Sequence, residues 1–376
     1  MQGMDSLLQA AVERGDVVGI AAAAGNAAGT LYEGAAGSRG NGLPMTPDTV
    51  GWIASMTKAI TTTAVLQLVE AGRLSLDAPI AEVLPALANP MVLEGGTLRP
   101  AKGVITLRQL LTHTSGFAYN MWHADLAAHM AKEGIPSTGT CQKRALAVPL
   151  VADPGTAWSY SIGIDWAGQA AEAVTGKTLD VLIREGVTGP LGMTDTVFRL
   201  GPEQRAKLTA MHARGADGGL TPIPFEIPQE PEFHMGGGGL YGTARDYLRF
   251  CRMWLNGGTL DGARVLRPET VAEAMRDHIG KLAVQQMVSA VPDATYDVPL
   301  FPGMRCGWGL SFLVNDEAGP DGRSAGSVFW AGLSNCYYWI DVKRDRAGVI
   351  VTQSLPFADP RVLAVLGEFE RAVYAA

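Results

Sequence analysis

Gly51-Trp52-Ile53-Ala54-Ser55-Met56-Thr57-Lys58, running on into Ala59-Ile60-Thr61-Thr62-Thr63-Ala64-Val65-Leu66-Gln67-Leu68-Val69-Glu70-Ala71-Gly72, is the stretch from which the rest of the chain can be read. Ile60, Ala64, Val65, Leu68 and Val69 recur at helical spacing and Gly72 offers a left-handed stop, which predicts a helix from about Met56 to Ala71. Ser55 then stands at the helix start, where a serine ordinarily acts as a cap, its hydroxyl accepting from a free backbone N–H. Lys58 changes that reading. Three residues on, it lies one turn along the same face and can bring its amine to the Ser55 hydroxyl. A serine hydroxyl is a weak nucleophile until a base takes its proton, and the N-terminal end of a helix stabilises developing negative charge. Ser-x-x-Lys meets both needs, but so short a pattern recurs by chance in a chain of 376 residues and requires partners elsewhere.

The composition narrows what those partners can be. A 47% hydrophobic chain of this length can bury a large core and suggests two domains or one large one. Asp and Glu outnumber Lys and Arg by 37 to 30, a net charge of −7, and there is no basic block of the kind nucleic-acid binding needs. Cys141, Cys251, Cys306 and Cys336 have no paired spacing, so neither a zinc site nor a disulfide framework is expected, and reduced thiols fit best. The N-terminal Met1-Gln2-Gly3-Met4-Asp5 lacks a basic n-region, and the apolar run from Val17 to Ala24 is too short to span a membrane. The expectation is a soluble, cytoplasmic protein.

Along the chain, Leu7 to Glu13 reads as a short amphipathic helix, and Val17 to Gly25 with Gly29 to Gly34 as a hairpin of small-residue strands. A short helix is expected from Asp77-Ala78-Pro79 to Leu87, another over Thr106 to Leu111, and more at Asp180 to Glu185 and Ala244 to Leu255, so that the middle of the chain is mostly helical. Ser327 to Leu333, Cys336 to Val342 and Ala347 to Gln353 are rich in aromatic and β-branched residues and read as strands, before an amphipathic helix from Pro360 to Tyr374. Strands at both ends with helices between predict an α/β fold of the α+β type. Residues 1–76 and 236–376 would form one discontinuous domain, and 77–235 an inserted, mainly helical domain.

Gly237-Gly238-Gly239-Leu240-Tyr241-Gly242 matches G-x-G-x-x-G, but Pro228 to His234 before it cannot be a strand, so the dinucleotide reading fails on context. His234 to Gly238 is similar to a glycine-rich oxyanion loop, yet the G-x-S-x-G elbow that must accompany it is absent. Close backbone packing beside a cleft remains. The stretches that can complete Ser55 are Trp158-Ser159-Tyr160-Ser161-Ile162 and Phe329-Trp330-Ala331-Gly332-Leu333. Each is also readable as ordinary packing: a core tyrosine with its hydroxyl at the surface, and a strand with small residues beside a packed tryptophan.

Taken in order, Ser55-Met56-Thr57-Lys58, Tyr160-Ser161 and Trp330-Ala331-Gly332 resemble the three motifs of serine esterases related to class C β-lactamases, the family VIII carboxylesterases. The likeness spans nearly the whole chain, since Leu111 to Gly116, Gly236 to Asp246, Leu255 to Gly262 and Gly307 to Leu310 also read like that family. The resemblance implies a β-lactamase-like fold, an antiparallel sheet made from both chain ends, flanked by the terminal helices, with the helical domain as the other wall of a cleft. It implies Ser55 as nucleophile, Lys58 and Tyr160 as a coupled general acid/base pair, the backbone N–H groups of Ser55 and Leu333 as oxyanion hole, and no cofactor or metal.

Departures from the pattern bear on substrate. The class C tyrosine motif ends in an asparagine amide where this chain has Ile162, and the lysine of their strand motif is replaced by the indole of Trp330. Both changes point to neutral esters over β-lactams. Trp330, Gly332 and Ile162 are therefore expected at the substrate, together with the aromatic loop Tyr119-Asn120-Met121-Trp122. His113, in a Gly-ended turn after a helix, reads as structural and not as part of a Ser-His-Asp triad. The expected activity is hydrolysis of small-acyl esters through an acyl-enzyme on Ser55. A β-lactam or amide hydrolase, an acyltransferase and a non-catalytic member of the fold are the alternatives. A small-molecule ester is the expected partner, and the sequence leaves the oligomeric state open.

Overall fold

A computed structural model of the protein describes residues 3–40, 42–298 and 303–376. One seven-stranded antiparallel sheet draws on both ends of the chain. Its N-terminal strands are β1 (Gly19–Gly25) and β2 (Thr30–Gly37); the others are β3 (Cys306–Trp308), β4 (Leu313–Asn315), β5 (Val328–Gly332), β6 (Cys336–Asp341) and β7 (Arg346–Val351). The order β3-β4-β5-β6-β7-β1-β2 puts β1 against β7, with Ala22 opposite Ile350. The expected hairpin and the C-terminal strands are thus parts of a single sheet, and the expected β-lactamase-like architecture is the one observed.

Helices cover both faces of the sheet. Successive side chains on a strand point to opposite faces, and on β6 Tyr338 packs on Tyr247 of the helix Ala244–Leu255 while its neighbour Trp339 packs on Phe369 of the helix Pro360–Ala375. The N-terminal helix Met4–Glu13, α1, lies on β2 and on that C-terminal helix. Gly348 on β7 is required by this packing, because a Cβ there would meet the Trp339 indole at 2.1 Å.

The helix after Ser55, α2, spans Thr57–Glu70, and its first ten residues, Thr57 to Leu66, are all buried. It is a core helix enclosed on every side, not a one-sided amphipathic one. Three of its buried threonines have hydrogen-bond partners: Thr61 donates to Gly236 O at 2.8 Å, Thr63 donates to Ala59 O at 2.8 Å, and Thr57 accepts from Leu240 N at 3.0 Å. Ahead of it, Ala54–Met56 forms one 3₁₀ turn in which Ala54 has φ 44°. An alanine in the left-handed region costs about 1–2 kcal/mol, and here it turns the chain sharply from the strand Gly51–Trp52 into the helix with Ser55 at the bend.

Several expectations are corrected in the middle of the chain. Asp77 to Leu87 is not a helix but two 3₁₀ turns, Ile80–Glu82 and Pro85–Leu87, since Pro85 has no N–H to continue a ladder and its ring disfavours helical geometry before it. Met91–Glu94 and Thr97–Pro100 form a hairpin in a region expected to be helical. The helix expected over Thr106 to Leu111 spans Leu107–Leu111, with Thr106 as its cap in a reciprocal capping box with Gln109. A long helix not anticipated, α3 (Gly163–Thr175), begins directly after the Tyr160 motif and packs on α2.

Candidate active site

The turn at Ser55, the loop at Tyr119, the stretch around Gly237 and Gly238, and Leu333 just after β5 converge on one small cavity. Its solvent-accessible volume is about 80 Å³, and Ser55, Trp52, Tyr119, Trp122, Gly237 and Leu333 are among its walls. No lining residue carries a charge. A larger cavity of about 490 Å³, lined by Asp180, Arg184, Phe198 and Arg199 among others, contains none of the motif residues, so chemistry and not size locates the site.

Lys58 is completely buried. Its Nζ lies 3.2 Å from Ser55 Oγ, 2.9 Å from the Tyr119 hydroxyl and 2.6 Å from Gly237 O. Burial lowers its pKa from 10.5 to about 7, opposed by the charge of Asp165. A neutral amine has two N–H donors and one lone pair. With the donors given to Gly237 O and the Tyr119 oxygen, the lone pair is left for the Ser55 hydroxyl.

Tyr160 meets the lysine with its ring, Nζ standing 4.7 Å from the ring centroid, while its hydroxyl accepts a hydrogen bond from Trp330 Nε1 at 2.8 Å. The phenol that bonds the lysine is Tyr119, which the sequence suggested only as a substrate contact. Burial pushes the Tyr160 hydroxyl above its ordinary pKa, opposed by its polar neighbours Ser55 and Trp330. Trp330 is thus not a bare apolar surface, because its polar edge is engaged by the phenol.

His113 holds the Tyr160 segment from behind. Its carbonyl accepts from Ser159 N at 2.9 Å and its Nδ1 from Ser161 N at 3.2 Å, with the ring 4.6 Å from that of Tyr160. Burial depresses its pKa well below the ordinary value, so the ring is neutral with its proton on Nε2. It does not line the cavity.

Strand pairing prepares the other wall. β4 pairs only with Val328 and Phe329 of β5, so from Trp330 onward that edge faces the cleft unpaired. At Gly332 a Cβ would meet Ile53 O at 2.3 Å, so only glycine lets β5 close on the Ser55 turn. Neither the Ser55 nor the Leu333 N–H donates in any hydrogen bond among the described residues, which leaves two donors at the end of this edge.

A sequence profile described as beta-lactamase matches residues 4–369. The chain belongs to the beta-lactamase family. It is 34% identical over 353 residues to the monacolin J acid methylbutanoyltransferase of Aspergillus terreus, covering 88% of this chain and 83% of that protein. It is 31% identical over 394 aligned positions to the lovastatin esterase of Penicillium rubens, covering 99% and 98%. Unliganded simvastatin synthase from Aspergillus terreus superposes with a TM-score of 0.87 at 32% identity, covering 99% of this chain and 97% of that one. The resemblance read from the three motifs therefore holds for family and fold, and the names of these relatives lie in ester cleavage and acyl transfer.

Within this beta-lactamase-family cleft the residues picked from sequence divide into groups. Ser55, Tyr119, Trp122 and Leu333 line the cavity. Tyr160, Trp330 and Gly332 stand behind that surface, and Ile162 is 2% exposed at the start of α3, away from the lining. Asp165 was not singled out. An aspartate in the first turn of a helix ordinarily complements the helix dipole, whereas this one points inward, fully buried, and accepts from Gly237 N at 2.8 Å. Trp122, partly buried and edge-on to the rings of Tyr119 and Tyr160, should act on selectivity: Trp122→Ala should change the ranking of acyl lengths by about tenfold while moving Tm by no more than a few degrees. The reverse pattern in an ester panel and a melting curve would mark it as packing alone.

Proposed function

We propose that the protein is a serine carboxylesterase of the Ser-Lys-Tyr type, cleaving small-acyl esters through an acyl-enzyme on Ser55 in a cleft between the discontinuous unit 1–76 with 236–376 and the helical unit 77–235. The observation that carries this is the buried Lys58 amine, 3.2 Å from Ser55 Oγ, with other acceptors for its own protons. Ser55 Oγ attacks the acyl carbon as Lys58 takes its proton, and the oxyanion is held by the N–H groups of Ser55 and Leu333. The alcohol leaves with a proton from Tyr160. Water, losing a proton to the Tyr160 and Lys58 pair, then adds to the acyl carbon, the bond to Oγ breaks and Ser55 regains its proton. Tyr119 and Trp122 face the substrate, with Trp330 and Gly332 shaping the wall behind them.

The methylbutanoyltransferase relative favours a second reading in which an alcohol replaces water. Incubation with a short-acyl aryl ester and a graded concentration of a bulky secondary alcohol separates the two. Hydrolysis predicts free acid in proportion to the phenol released at every alcohol concentration. A new ester that accumulates at the expense of the acid identifies a transferase, and no phenol release above an Ser55→Ala control contradicts both. The four cysteines are all buried and unpaired, which supports a reducing, cytoplasmic setting, and among the described residues no helix is long and apolar enough to cross a membrane.

A further inference from the structure

We propose that Asp165 is a positioning residue for the Ser55–Lys58 pair, a buried carboxylate that holds Gly237 and Tyr119 in the places from which they orient the lysine. The inference rests on Lys58 serving as the base for Ser55. Asp165 is completely buried, makes no ion pair within 4 Å among the described residues, and caps nothing, since Ile162 occupies the cap position of α3. A buried carboxylate without a contact ion costs several kcal/mol unless hydrogen bonds and a nearby charge offset it, so its neighbours identify its task.

Gly237 N donates to Asp165 Oδ1 at 2.8 Å, and the Tyr119 hydroxyl lies 3.5 Å from Oδ2. These are the residues that, with Ser55, hold Lys58 Nζ. Gly237 presents its N–H to the carboxylate and its C=O to the amine, so a displacement of Asp165 moves the carbonyl that fixes the lysine. The contact needs glycine, because a Cβ at position 237 would meet Asp165 Oδ2 at 2.4 Å and the Tyr119 hydroxyl at 2.8 Å. The titratable groups facing this carboxylate are Lys58 on α2, Tyr119 on its loop, Tyr160 before α3 and the Cys141 thiol; His113 behind them is neutral. A negative charge here favours the ammonium form of Lys58, and its removal makes the lysine a weaker base.

Asp165→Asn keeps an oxygen for Gly237 N–H and removes the charge. In a pH profile of kcat/KM on a short-acyl aryl ester, the acid limb of the variant should lie about one pH unit or more below that of the wild type. Its plateau kcat should fall about tenfold to a hundredfold, with KM changed far less. A wild-type limb that stays in place in Asp165→Asn overturns the inference alone, even if Tm drops, because a structural filler would move stability and not the profile. A wild-type profile without an acid limb overturns the role of Lys58 and this inference together. Tyr119→Phe supplies an arm independent of whether Asp165→Asn folds: with the charge kept and one link removed, kcat should fall while the limb stays near its wild-type position, and a wild-type kcat would overturn the positioning role.

Discussion

A Lys58→Met enzyme should stay folded yet turn over a short-acyl aryl ester on the order of 10² to 10⁴ times more slowly than the wild type, the range for losing general acid/base catalysis. Methionine is unbranched and apolar and suits a completely enclosed site, so the loss would report chemistry and not collapse. In the wild type, activity should fall as the pH drops below about 7, where the amine becomes protonated and can no longer accept from Ser55. The same shift appears in stability. The folded pKa, about 7, lies below the ordinary 10.5, so between those values the native state binds fewer protons than the unfolded chain, and this contribution rises with pH. Below about pH 7 the full penalty is present. From 10.5 to about 7 is roughly 3.5 units, which at 1.36 kcal/mol per unit sets a ceiling of about 5 kcal/mol. The stability difference between wild type and Lys58→Met should therefore shift in favour of the wild type from pH 7 to pH 10 in denaturant titrations. A pH-independent difference, or a Met variant with wild-type turnover, would contradict the placement of a neutral lysine beside Ser55.

Esters should outrun β-lactams by about 10² to 10⁴ in kcat/KM. A cephalosporin carries a carboxylate into a cavity whose walls hold no charged side chain, and the Trp330 indole N–H behind those walls is already given to Tyr160. Burying a carboxylate without a partner costs a few kcal/mol, and each 1.36 kcal/mol is about tenfold in rate. Ile162 adds nothing to offset this, being buried at the start of α3 and unable to donate to a substrate amide. A neutral ester meets neither obstacle. Residual β-lactam turnover is expected, because Ser55, Lys58, Tyr160 and the free N–H donors do not depend on those positions. Parallel assays with a short-chain aryl ester and a chromogenic cephalosporin decide it, and equal or faster cephalosporin turnover would assign the cleft to β-lactams.

What could be read from sequence was what depends on local periodicity. The Ser55 helix, read as Met56 to Ala71, spans Thr57–Glu70, the helix Ala244–Leu255 matches residue for residue, and β5, β6 and β7 begin within a residue of their expected positions. α3 was missed although its two faces differ in hydrophobicity, because its buried side is built chiefly from the small residues Gly163, Ala167, Gly168, Ala170 and Ala171 around a buried Asp165, without the run of large apolar side chains that marked the other helices. The lysine's partners were illegible for another reason. Tyr119 and Gly237 lie 61 and 179 residues from Lys58, and only tertiary packing brings a loop phenol and a glycine carbonyl to the same amine. Nor could spacing show that the indole of Trp330, 170 residues from Tyr160, points its N–H at that hydroxyl.

The most direct test of acyl transfer through Ser55 is intact-protein and peptide mass spectrometry after treatment with a serine-directed aryl phosphonate. The account predicts one adduct per chain, mapped to Ser55, formed in step with loss of esterase activity and absent from Ser55→Ala. An adduct on another residue that tracks the loss of activity, or an active Ser55→Ala enzyme, would contradict it.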